Sequence, residues 1–383
     1  MKRLFLLSSL AALCAGSATM AAPPPEPGLQ MIAIDVEGSG GTLFVTPEGK
    51  SLLIDTGNPP NPQAVGKDTA DRLVDTIHSF GVTKIDYLIT THYHSDHVGG
   101  FPAFLEKMPV GTVIDHGENR QPDPPPGAAP PPGRGRGANV AGRGNGAAAN
   151  GPRRPRLTTQ GYYERYMQAI GNHKRIIAKP GMTLAIGSMK VTFVAADGQV
   201  IAKPLPGAGQ PNPACDGLPG MADTGGEENA RSVASLITYG KVRIAAFGDL
   251  TWDRDKDLAC PVNKVGKVDV YLVSNHGLAQ STSPAIVAAL QPVVVIEGNG
   301  ITKGDDPDRV KSLMASPRIQ GFWRLHRNIR HPELDGPEDM IANPVAGPAG
   351  DHAYNLRLRI LKSGAVTVIN ERNGFNKTYH AGG

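Results

Sequence analysis

The run Asp86-Tyr87-Leu88-Ile89-Thr90-Thr91-His92-Tyr93-His94-Ser95-Asp96-His97-Val98-Gly99-Gly100 decides how this sequence is interpreted. It begins as a buried strand, and three of the chain's 11 histidines then fall within six residues. If the strand geometry continues, His92 and His94 point to the same side, and the next turn brings Asp96 and His97 beside them. Imidazole and carboxylate groups that converge in this way bind divalent metal ions. The alternative, a polar loop with incidental histidines, does not explain this clustering.

The rest of the chain alternates strands and helices without an internal repeat. Apolar periodicity predicts strands at 31–36, 42–45, 51–54, 86–90, 183–186, 189–195, 232–239, 242–247, 268–273, 293–296, 356–361 and 366–370, and helices at 68–80, 162–170, 284–290 and 307–314. Strand-rich halves that each close with strand–helix units favour a layered α/β sandwich. We expect one catalytic domain over residues 23–383.

The N-terminus has the pattern of a cleaved signal peptide. Lys2 and Arg3 precede an apolar stretch from Leu4 to Ala15, and small residues follow at Ala21 and Ala22. The apolar stretch is shorter than the roughly 20 residues that a spanning helix needs, and no later segment approaches that length. We therefore predict a signal peptide at residues 1–22, a periplasmic or secreted protein, and no membrane span after cleavage.

Residues 121–155 consist mainly of proline, glycine, alanine and arginine, which predicts a disordered insertion within the domain. Seven arginines and one aspartate lie in residues 120–156, so this segment carries +6 while the whole chain carries +4. The charge of the remaining body gives no reason to expect a stable nucleic-acid complex. We interpret the insertion as a solvated spacer; an arginine–glycine segment that contacts RNA, another anionic polymer or cell wall is the alternative.

Cleavage of the leader removes Cys14 and leaves Cys215 and Cys260. In an oxidising compartment such a pair is a disulfide candidate, with two unrelated thiols as the alternative.

Further motifs in chain order make a family resemblance specific. The signature His92-x-His94-x-Asp96-His97 resembles that of the metallo-β-lactamase superfamily. Three other segments resemble later or earlier motifs of that superfamily: Leu52-Leu53-Ile54-Asp55-Thr56-Gly57, Phe247-Gly248-Asp249-Leu250 and Val273-Ser274-Asn275-His276-Gly277. The run Glu228-Asn229-Ala230-Arg231-Ser232 is most similar to the extracellular hydrolase domain of competence proteins of the DNA-uptake channel type. The resemblance covers most of residues 29–300 and implies a four-layer αββα sandwich.

The resemblance also implies the ligand set. We assign His92 and His94 to one metal, Asp96, His97 and His276 to the other, and Asp249 as the bridge between them. Water between two divalent ions about 3.5–4 Å apart becomes a hydroxide nucleophile near neutral pH, and Asp96 can orient it. Asp55 is expected to support the histidine loop through hydrogen bonds. Zinc is the default metal because imidazole ligands dominate, with manganese as the alternative.

The sequence departs from the superfamily pattern at two places. Relatives carry a further histidine just before the strand at Ser232, where this chain has Glu228 and Asn229. Competence-type relatives carry a histidine pair in the late motif, where this chain has Asn275 and His276. These departures leave open whether one or two metals bind, and whether Glu228 or Asn229 replaces the missing ligand.

Four other residues receive less weight as site residues. His116, next to the insertion, is interpreted as a solvent-facing histidine rather than as a cleft residue, and His173 as a surface histidine at a helix end. Trp323 is expected to pack in the core, with a substrate wall formed by Trp323 and His326 as the alternative.

Three functions are consistent with these sequence features. The first is an exported metal-dependent hydrolase that acts on a phosphodiester or another phosphorylated substrate, as a small molecule or polymer. The second is a hydrolase of an amide, lactone or thioester, including a β-lactam. The third is a metal-poor, non-catalytic protein that binds a ligand or cell-wall polymer. The sequence does not indicate an oligomeric state.

Overall fold

The computed structural model describes residues 27–61, 67–121, 123, 157–218, 227–345 and 352–382 of the 383-residue chain. The predicted signal peptide lies outside these residues, and so does the predicted insertion apart from Gln121 and Asp123. Within the described ranges, no helix has the length and apolar character required to cross a membrane.

Strands and helices alternate along the described chain. The strands are β1 Leu29–Ala33, β2 Thr42–Val45, β3 Ser51–Ile54, β4 Ile85–Ile89, β5 Val110–Asp115, β6 Lys174–Ile177, β7 Thr183–Ile186, β8 Met189–Ala196, β9 Gln199–Val200, β10 Ala234–Tyr239, β11 Val242–Ala246, β12 Val270–Leu272, β13 Val294–Glu297, β14 Gly321–His326, β15 Ile341–Asn343, β16 Leu356–Ile360, β17 Ala365–Asn370 and β18 Asn376–His380. The α-helices are α1 Thr69–Ser79, α2 Ser95–Val98, α3 Phe101–Lys107, α4 Thr159–Ile170, α5 Trp252–Ala259, α6 Pro284–Leu290 and α7 Pro307–Met314. Short 3₁₀ turns include Asn229–Arg231 and Ser274–Gly277.

The strands form two large sheets. The first has the order β18-β17-β16-β1-β2-β3-β4-β5-β6, and its strands β3 to β6 run parallel. The second has the order β15-β14-β13-β12-β11-β10-β8-β7, with β9 paired to β8, and its strands β11 to β15 run parallel. Each sheet therefore combines an antiparallel part with a parallel part whose strands are connected through helices.

Three apolar clusters show how the layers stack. The central cluster joins the inner faces of the sheets, with Phe44 and Ile89 from the first and Ile237 and Ile244 from the second. A second cluster packs α1, α3 and α4 on the outer face of the first sheet, and a third packs α5, α6 and α7 on the outer face of the second. Burial on both faces explains the continuous apolar runs of the parallel strands. The predicted four-layer αββα sandwich is confirmed.

Helix α1 illustrates why local sequence was sufficient for some elements. Asp68 caps its N-terminus by accepting a hydrogen bond from the Asp71 backbone N–H, and Phe80 follows its last turn. Its buried side chains include Leu73 and Ile77, which lie on one face of the helix. The predicted boundaries 68–80 therefore agree with the structure to within one residue at each end.

The predicted disulfide between Cys215 and Cys260 is confirmed. Cys260 follows α5, and Cys215 ends a 3₁₀ turn at Pro213–Cys215, with 5.8 Å between the two Cα atoms. The bond ties the connection after β9 to the helical layer of the second sheet.

Candidate metal centre

The parallel strands of both sheets end at one edge of the sandwich, and polar residues follow them there. In the first sheet Ile54 pairs with Ile89, and in the second Ala246 pairs with Leu272. The residues just beyond these strand ends are Asp55, the run 92–97, Asp249 and His276. The carboxyl ends of parallel strands are the usual place for a binding site in α/β folds. Residues far apart in sequence therefore meet at this edge.

The histidine run leaves its strand earlier than expected. Strand β4 ends at Ile89, so His92 and His94 lie on an extended loop before α2 rather than on the strand. Their rings still meet, with 3.1 Å between His92 Nε2 and His94 Nδ1. The first turn of α2 then carries Asp96 and His97 to the other side of the same edge.

Asp96, His97, Asp249 and His276 form one compact cluster. Each offers one ligand atom, and these atoms lie within 4.8 Å of one another. His97 Nε2 is 3.2 Å from Asp249 Oδ1 and 3.1 Å from His276 Nε2. Asp96 Oδ2 is 3.5 Å from His276 Nε2. The Asp96 side chain is 23% exposed whereas the other three are almost fully buried, so the cluster opens on the Asp96 side.

The hydrogen bonds of the two histidines fit a bound cation. His276 Nδ1 lies 2.9 Å from the Gly298 carbonyl oxygen, and His97 Nδ1 lies 2.7 Å from Asp55 Oδ2. Since both partners are acceptors, each Nδ1 carries a proton, and each Nε2 is directed into the cluster. The two Nε2 atoms lie 3.1 Å apart beside two carboxylates, an arrangement that requires positive charge between them, either a proton or a metal ion. The donor set therefore suits a divalent metal ion.

A second group of donors adjoins the first through Asp249. His92 Nδ1 lies 3.0 Å from Thr91 Oγ1, which itself donates to Asp55 Oδ2, so His92 Nε2 is left to present a lone pair. That nitrogen lies 3.9 Å from Asp249 Oδ2, whereas Asp249 Oδ1 faces His97 and His276. One oxygen of Asp249 therefore faces His92 and the other faces His97 and His276, although within the described residues only Asp96, His97, Asp249 and His276 bring their ligand atoms within 4.8 Å of one another.

Asp55 supports this arrangement through hydrogen bonds to Thr91 and His97. Its Oδ1 accepts a hydrogen bond from the Thr91 backbone N–H at 2.7 Å, and its Oδ2 accepts bonds from Thr91 Oγ1 at 2.8 Å and His97 Nδ1. The backbone of Asp55 has a positive φ of 63°, which turns the chain sharply after β3. Asp55 therefore orients the imidazole of His97 and fixes the start of the histidine loop.

Burial and neighbouring charge act in opposite directions on the pKa values of the cluster. Burial alone would lower the pKa of His97, but the carboxylates of Asp249, Asp55 and Asp96 raise it well above its ordinary value. Burial alone would raise the pKa of Asp249, but His97 and His276 lower it. Burial, with the charge of His97, lowers the pKa of His92. The lowered pKa values of Asp96 and Asp249 keep these two carboxylates ionised, and they attract positive charge into the cluster.

Glu228, considered from sequence as a replacement ligand, has other partners. Its Oε1 accepts a hydrogen bond from the Tyr93 backbone N–H at 3.0 Å and lies 2.7 Å from His116 Nε2. Glu228 and His116 are both buried, so the interpretation of His116 as solvent-facing is wrong. The pair holds the histidine loop at Tyr93, between His92 and His94. Asn229 is also buried, and its Oδ1 has no hydrogen-bond partner within the described chain.

In the late motif, His276 rather than Asn275 enters the cluster. Both residues have positive φ, 50° for Asn275 and 54° for His276, within the turn Ser274–Gly277. Asparagine tolerates this backbone conformation better than most residues. The Asn275 backbone N–H donates to the Gly248 carbonyl oxygen, which ties this turn to the one that carries Asp249.

Lys303 is a site residue that the sequence reasoning missed. Its Nζ forms an ion pair with Asp96 Oδ2 and donates a hydrogen bond to the Gly38 carbonyl oxygen at 2.8 Å. The two charged residues are 207 positions apart, so no local pattern could have joined them.

His173, Trp323 and His326 are not members of the cluster. His173 is exposed after α4, and Trp323 is buried in the central core, as expected. His326 is buried too, with its Nε2 2.7 Å from Asp35 Oδ1, so no substrate wall forms from Trp323 and His326. The insertion is described only at Gln121, whose side chain accepts a hydrogen bond from the Glu228 backbone N–H, and at Asp123. Gln121 therefore belongs to the folded domain rather than to the spacer.

A comparison with known protein families gives a match for part of the chain. Residues 37–161 match the family described as Metallo-beta-lactamase superfamily. This segment contains Asp55 and the run from His92 to His97, whereas Asp249 and His276 lie beyond it. No curated protein matches the sequence. The narrower resemblance to competence proteins remains a proposal.

Solved structures with a similar course of the chain include proteins of different activity. CmlA, a diiron beta-hydroxylase from Streptomyces venezuelae, is 14% identical with a TM-score of 0.39, over 79% of this chain and 53% of CmlA. The metallo-beta-lactamase fold protein YhfI from Bacillus subtilis is 13% identical with a TM-score of 0.40, over 78% and 96% of the two chains. MEM-A1, a subclass B3 metallo-beta-lactamase from a soil metagenome library, is 14% identical with a TM-score of 0.32, over 59% and 62%. The match thus spans about half the length of CmlA.

Proposed function

We propose that this protein is an exported hydrolase that uses two divalent metal ions to cleave a phosphodiester or another phosphorylated substrate. The observation that carries the proposal is the position of Asp249. One of its carboxylate oxygens faces His97 and His276 and the other faces His92, which supports a ligand shared by two ions. Two-metal sites suit in-line displacement at phosphorus because they stabilise both the attacking and the leaving oxygen.

The ligands divide into two sets. His92 and His94 would hold one ion, and Asp96, His97 and His276 the other, with Asp249 shared. When bound, the two ions lower the pKa of water and neutralise charge on the phosphoryl oxygens. Imidazole nitrogens favour zinc, while the two carboxylates keep manganese as the alternative.

The chain's own residues supply orientation. Asp96, the most exposed carboxylate of the cluster, orients the attacking water. Asp55 holds the Nδ1 proton of His97, and the Gly298 carbonyl oxygen holds that of His276, so both rings keep Nε2 directed into the cluster. Such partners typically change metal affinity by about 10- to 100-fold.

The N-terminal pattern and the disulfide support export to the periplasm or beyond. A disulfide between Cys215 and Cys260 is typical of oxidising compartments. The sequence resemblance to the hydrolase domain of competence proteins supports a phosphorylated substrate, as a small molecule or polymer.

The test begins with metal content. The full chain, purified from an oxidising compartment and reconstituted with zinc or manganese, is assayed for hydrolysis of bis-nitrophenyl phosphate, a chromogenic cephalosporin and a lactone. We expect metal-dependent phosphodiester turnover that His94→Ala reduces at least 100-fold. His173→Ala, a change of an exposed histidine outside the cluster, is the matched control and should retain activity.

Other outcomes point elsewhere. Turnover of the cephalosporin or lactone alone would replace the phosphodiester by an acyl substrate. Sub-stoichiometric metal with no turnover of any substrate would support the non-catalytic binding protein instead. Phosphodiester turnover unchanged by His94→Ala would remove the site assignment.

A further inference from the structure

The segment after β13 packs closely against two loops of the metal centre, the loop at Gly38 and the loop at His276. A Cβ on Gly304 would lie 2.2 Å from the His276 carbonyl oxygen, and a Cβ on Gly38 would lie 2.9 Å from the backbone of Gly300. Backbone hydrogen bonds between Gly300 and Lys303 close the turn that carries the lysine. These contacts place Lys303 on a rigid support, which limits where its side chain can reach.

The ammonium group of Lys303 lies at the open side of the cluster. Its side chain is 19% exposed and pairs with Asp96, which is the one cluster ligand with appreciable exposure. An ammonium has three N–H donors, and within the described chain two acceptors are found, Asp96 Oδ2 and the Gly38 carbonyl oxygen. One donor thus remains for a group that approaches from solvent.

The charge of the site gives this donor a role. Asp96 lies on the open side of the cluster, so an anionic substrate must approach past its carboxylate even when metal ions are bound deeper in the cluster. A cation fixed beside Asp96 offsets that repulsion and offers a charge-assisted hydrogen bond to an anionic oxygen. Gly38, which accepts the second hydrogen bond, keeps the ammonium in place without neutralising it.

We propose that Lys303 is an anion-binding residue of the active site that contacts a non-bridging oxygen of a phosphoryl group on the substrate. The inference rests on the proposed function, since it names the part of a phosphorylated substrate that the chain itself recognises. It assigns substrate selection to a lysine outside the metal ligands, 27 positions beyond His276 in the sequence.

The test uses inorganic phosphate as the probe and binding as the readout. Calorimetry measures its Kd for the metal-reconstituted full chain, with metal content measured on the same samples. Loss of one charge-assisted hydrogen bond predicts a Kd weakened about 10-fold or more in Lys303→Gln, with metal content unchanged. Lys303→Arg should retain most of the affinity, and Lys311→Gln, an exposed lysine on α7, should behave as the unaltered protein.

The outcomes separate the inference from the proposed function. An unchanged Kd in Lys303→Gln, or no phosphate binding by the unaltered protein, would overturn the inference. Loss of metal in Lys303→Gln would also overturn it, because Lys303 would then only position Asp96. Acetate bound as tightly as phosphate, with the same loss in Lys303→Gln, would replace the phosphoryl group by a carboxylate. Lys303-dependent phosphate binding without phosphodiester turnover would uphold the lysine's role while the proposed reaction fails.

Discussion

Asp55 supports the metal centre through hydrogen bonds although it is not one of the four residues of the cluster. It accepts hydrogen bonds from Thr91 and His97 while its own backbone has a positive φ. Asparagine tolerates that φ, so Asp55→Asn keeps the turn and removes the charge. We expect metal affinity to fall about 10- to 100-fold, as for other partners of metal-bound histidines. Metal titration of the variant measures this.

Asp75→Asn is the control, since the Asp75 side chain is 53% exposed on α1. Equal metal affinity of Asp55→Asn and the unaltered protein would show that Asp55 does not orient His97.

Asp255 gives a pH-dependent prediction away from the cluster. Burial, with the charge of Asp253, raises the pKa of Asp255 from 3.8 to about 8, although backbone N–H groups of Ser283 and Thr282 and the charge of Arg309 oppose the rise. Between pH 4 and 8 the unfolded chain ionises this carboxyl while the folded chain keeps it protonated. The free energy of unfolding therefore falls as pH rises through this window, by at most about 1.4 kcal/mol per pH unit from this group.

Asp255→Asn should remove that dependence. Denaturant unfolding at several pH values measures the difference between the variant and the unaltered protein, which should shift in favour of the variant from pH 4 to pH 8. Asp257→Asn changes a more exposed carboxylate of the same helix and serves as control. A difference that stays constant with pH would contradict the prediction.

Individual site residues could be predicted from the sequence where several metal-binding residue types lie close together. Three histidines and an aspartate within six residues identified the histidine run, and motif order added Asp55, Asp249 and His276. Lys303 and the pair of Glu228 with His116 were missed. Their roles come from contacts that only the folded chain creates, and a lone lysine or histidine carries no local signal.

At the scale of elements, the loop before β2 packs closely on the centre. A Cβ on Gly40 would lie 2.7 Å from His97 Nδ1 and 2.8 Å from Asp55 Oδ2, and the Gly40 backbone N–H donates to the Asp96 carbonyl oxygen. The side chains of His97 and Asp55 are hydrogen-bonded to each other, so moving either one would break that hydrogen bond. Gly40→Ala should therefore weaken metal binding roughly 10-fold or more, within the range for disturbed supporting contacts.

Gly336→Ala provides the comparison for that change. Its Cβ would meet its nearest neighbour, Arg324, at 3.7 Å, an ordinary contact. Metal titration of both variants measures the effect, and equal affinities would show that the loop at Gly40 has room to adjust.

The disulfide joins positions 45 residues apart. A loop of that length predicts that the bond contributes about 4 kcal/mol to the free energy of unfolding. Chemical denaturation of the Cys215→Ser/Cys260→Ser variant should show a loss of this order. A reductant should lower the stability of the unaltered protein and leave the variant unaffected. Equal stability of the oxidised protein and the variant would contradict the prediction.

Elements with a strong local pattern were predicted best. Helix α1 has a capping aspartate and an amphipathic spacing, and its boundaries agree with the structure. Strand β14, Gly321–His326, was missed although it is fully buried. Its charged and aromatic residues, Arg324 and Trp323 among them, do not alternate with period two. Arg324 is accommodated there by the buried acidic side chains of Glu297 and Asp305, which are distant in sequence.

At the scale of the whole molecule, the layered architecture followed from the alternation of elements and the family resemblance. The pairing of β16 with β1 did not, because it joins strands more than 300 residues apart. That pairing completes the first sheet around β1. The carboxyl ends of the parallel strands in the two sheets meet because the sheets pack on each other. The order of motifs along the sequence indicates that their residues share a site, but it does not give the distances between them.

The most direct test of the two-metal centre is the metal content of the full chain and of Asp249→Asn, measured by elemental analysis after reconstitution and removal of free metal. Asp249 has one oxygen near His92 and the other near His97, so one substitution affects both proposed sites. We predict two equivalents of metal in the unaltered protein and one or fewer in the variant, with both proteins folded by circular dichroism. Substoichiometric metal in the unaltered protein, or two equivalents retained in Asp249→Asn, would contradict the account.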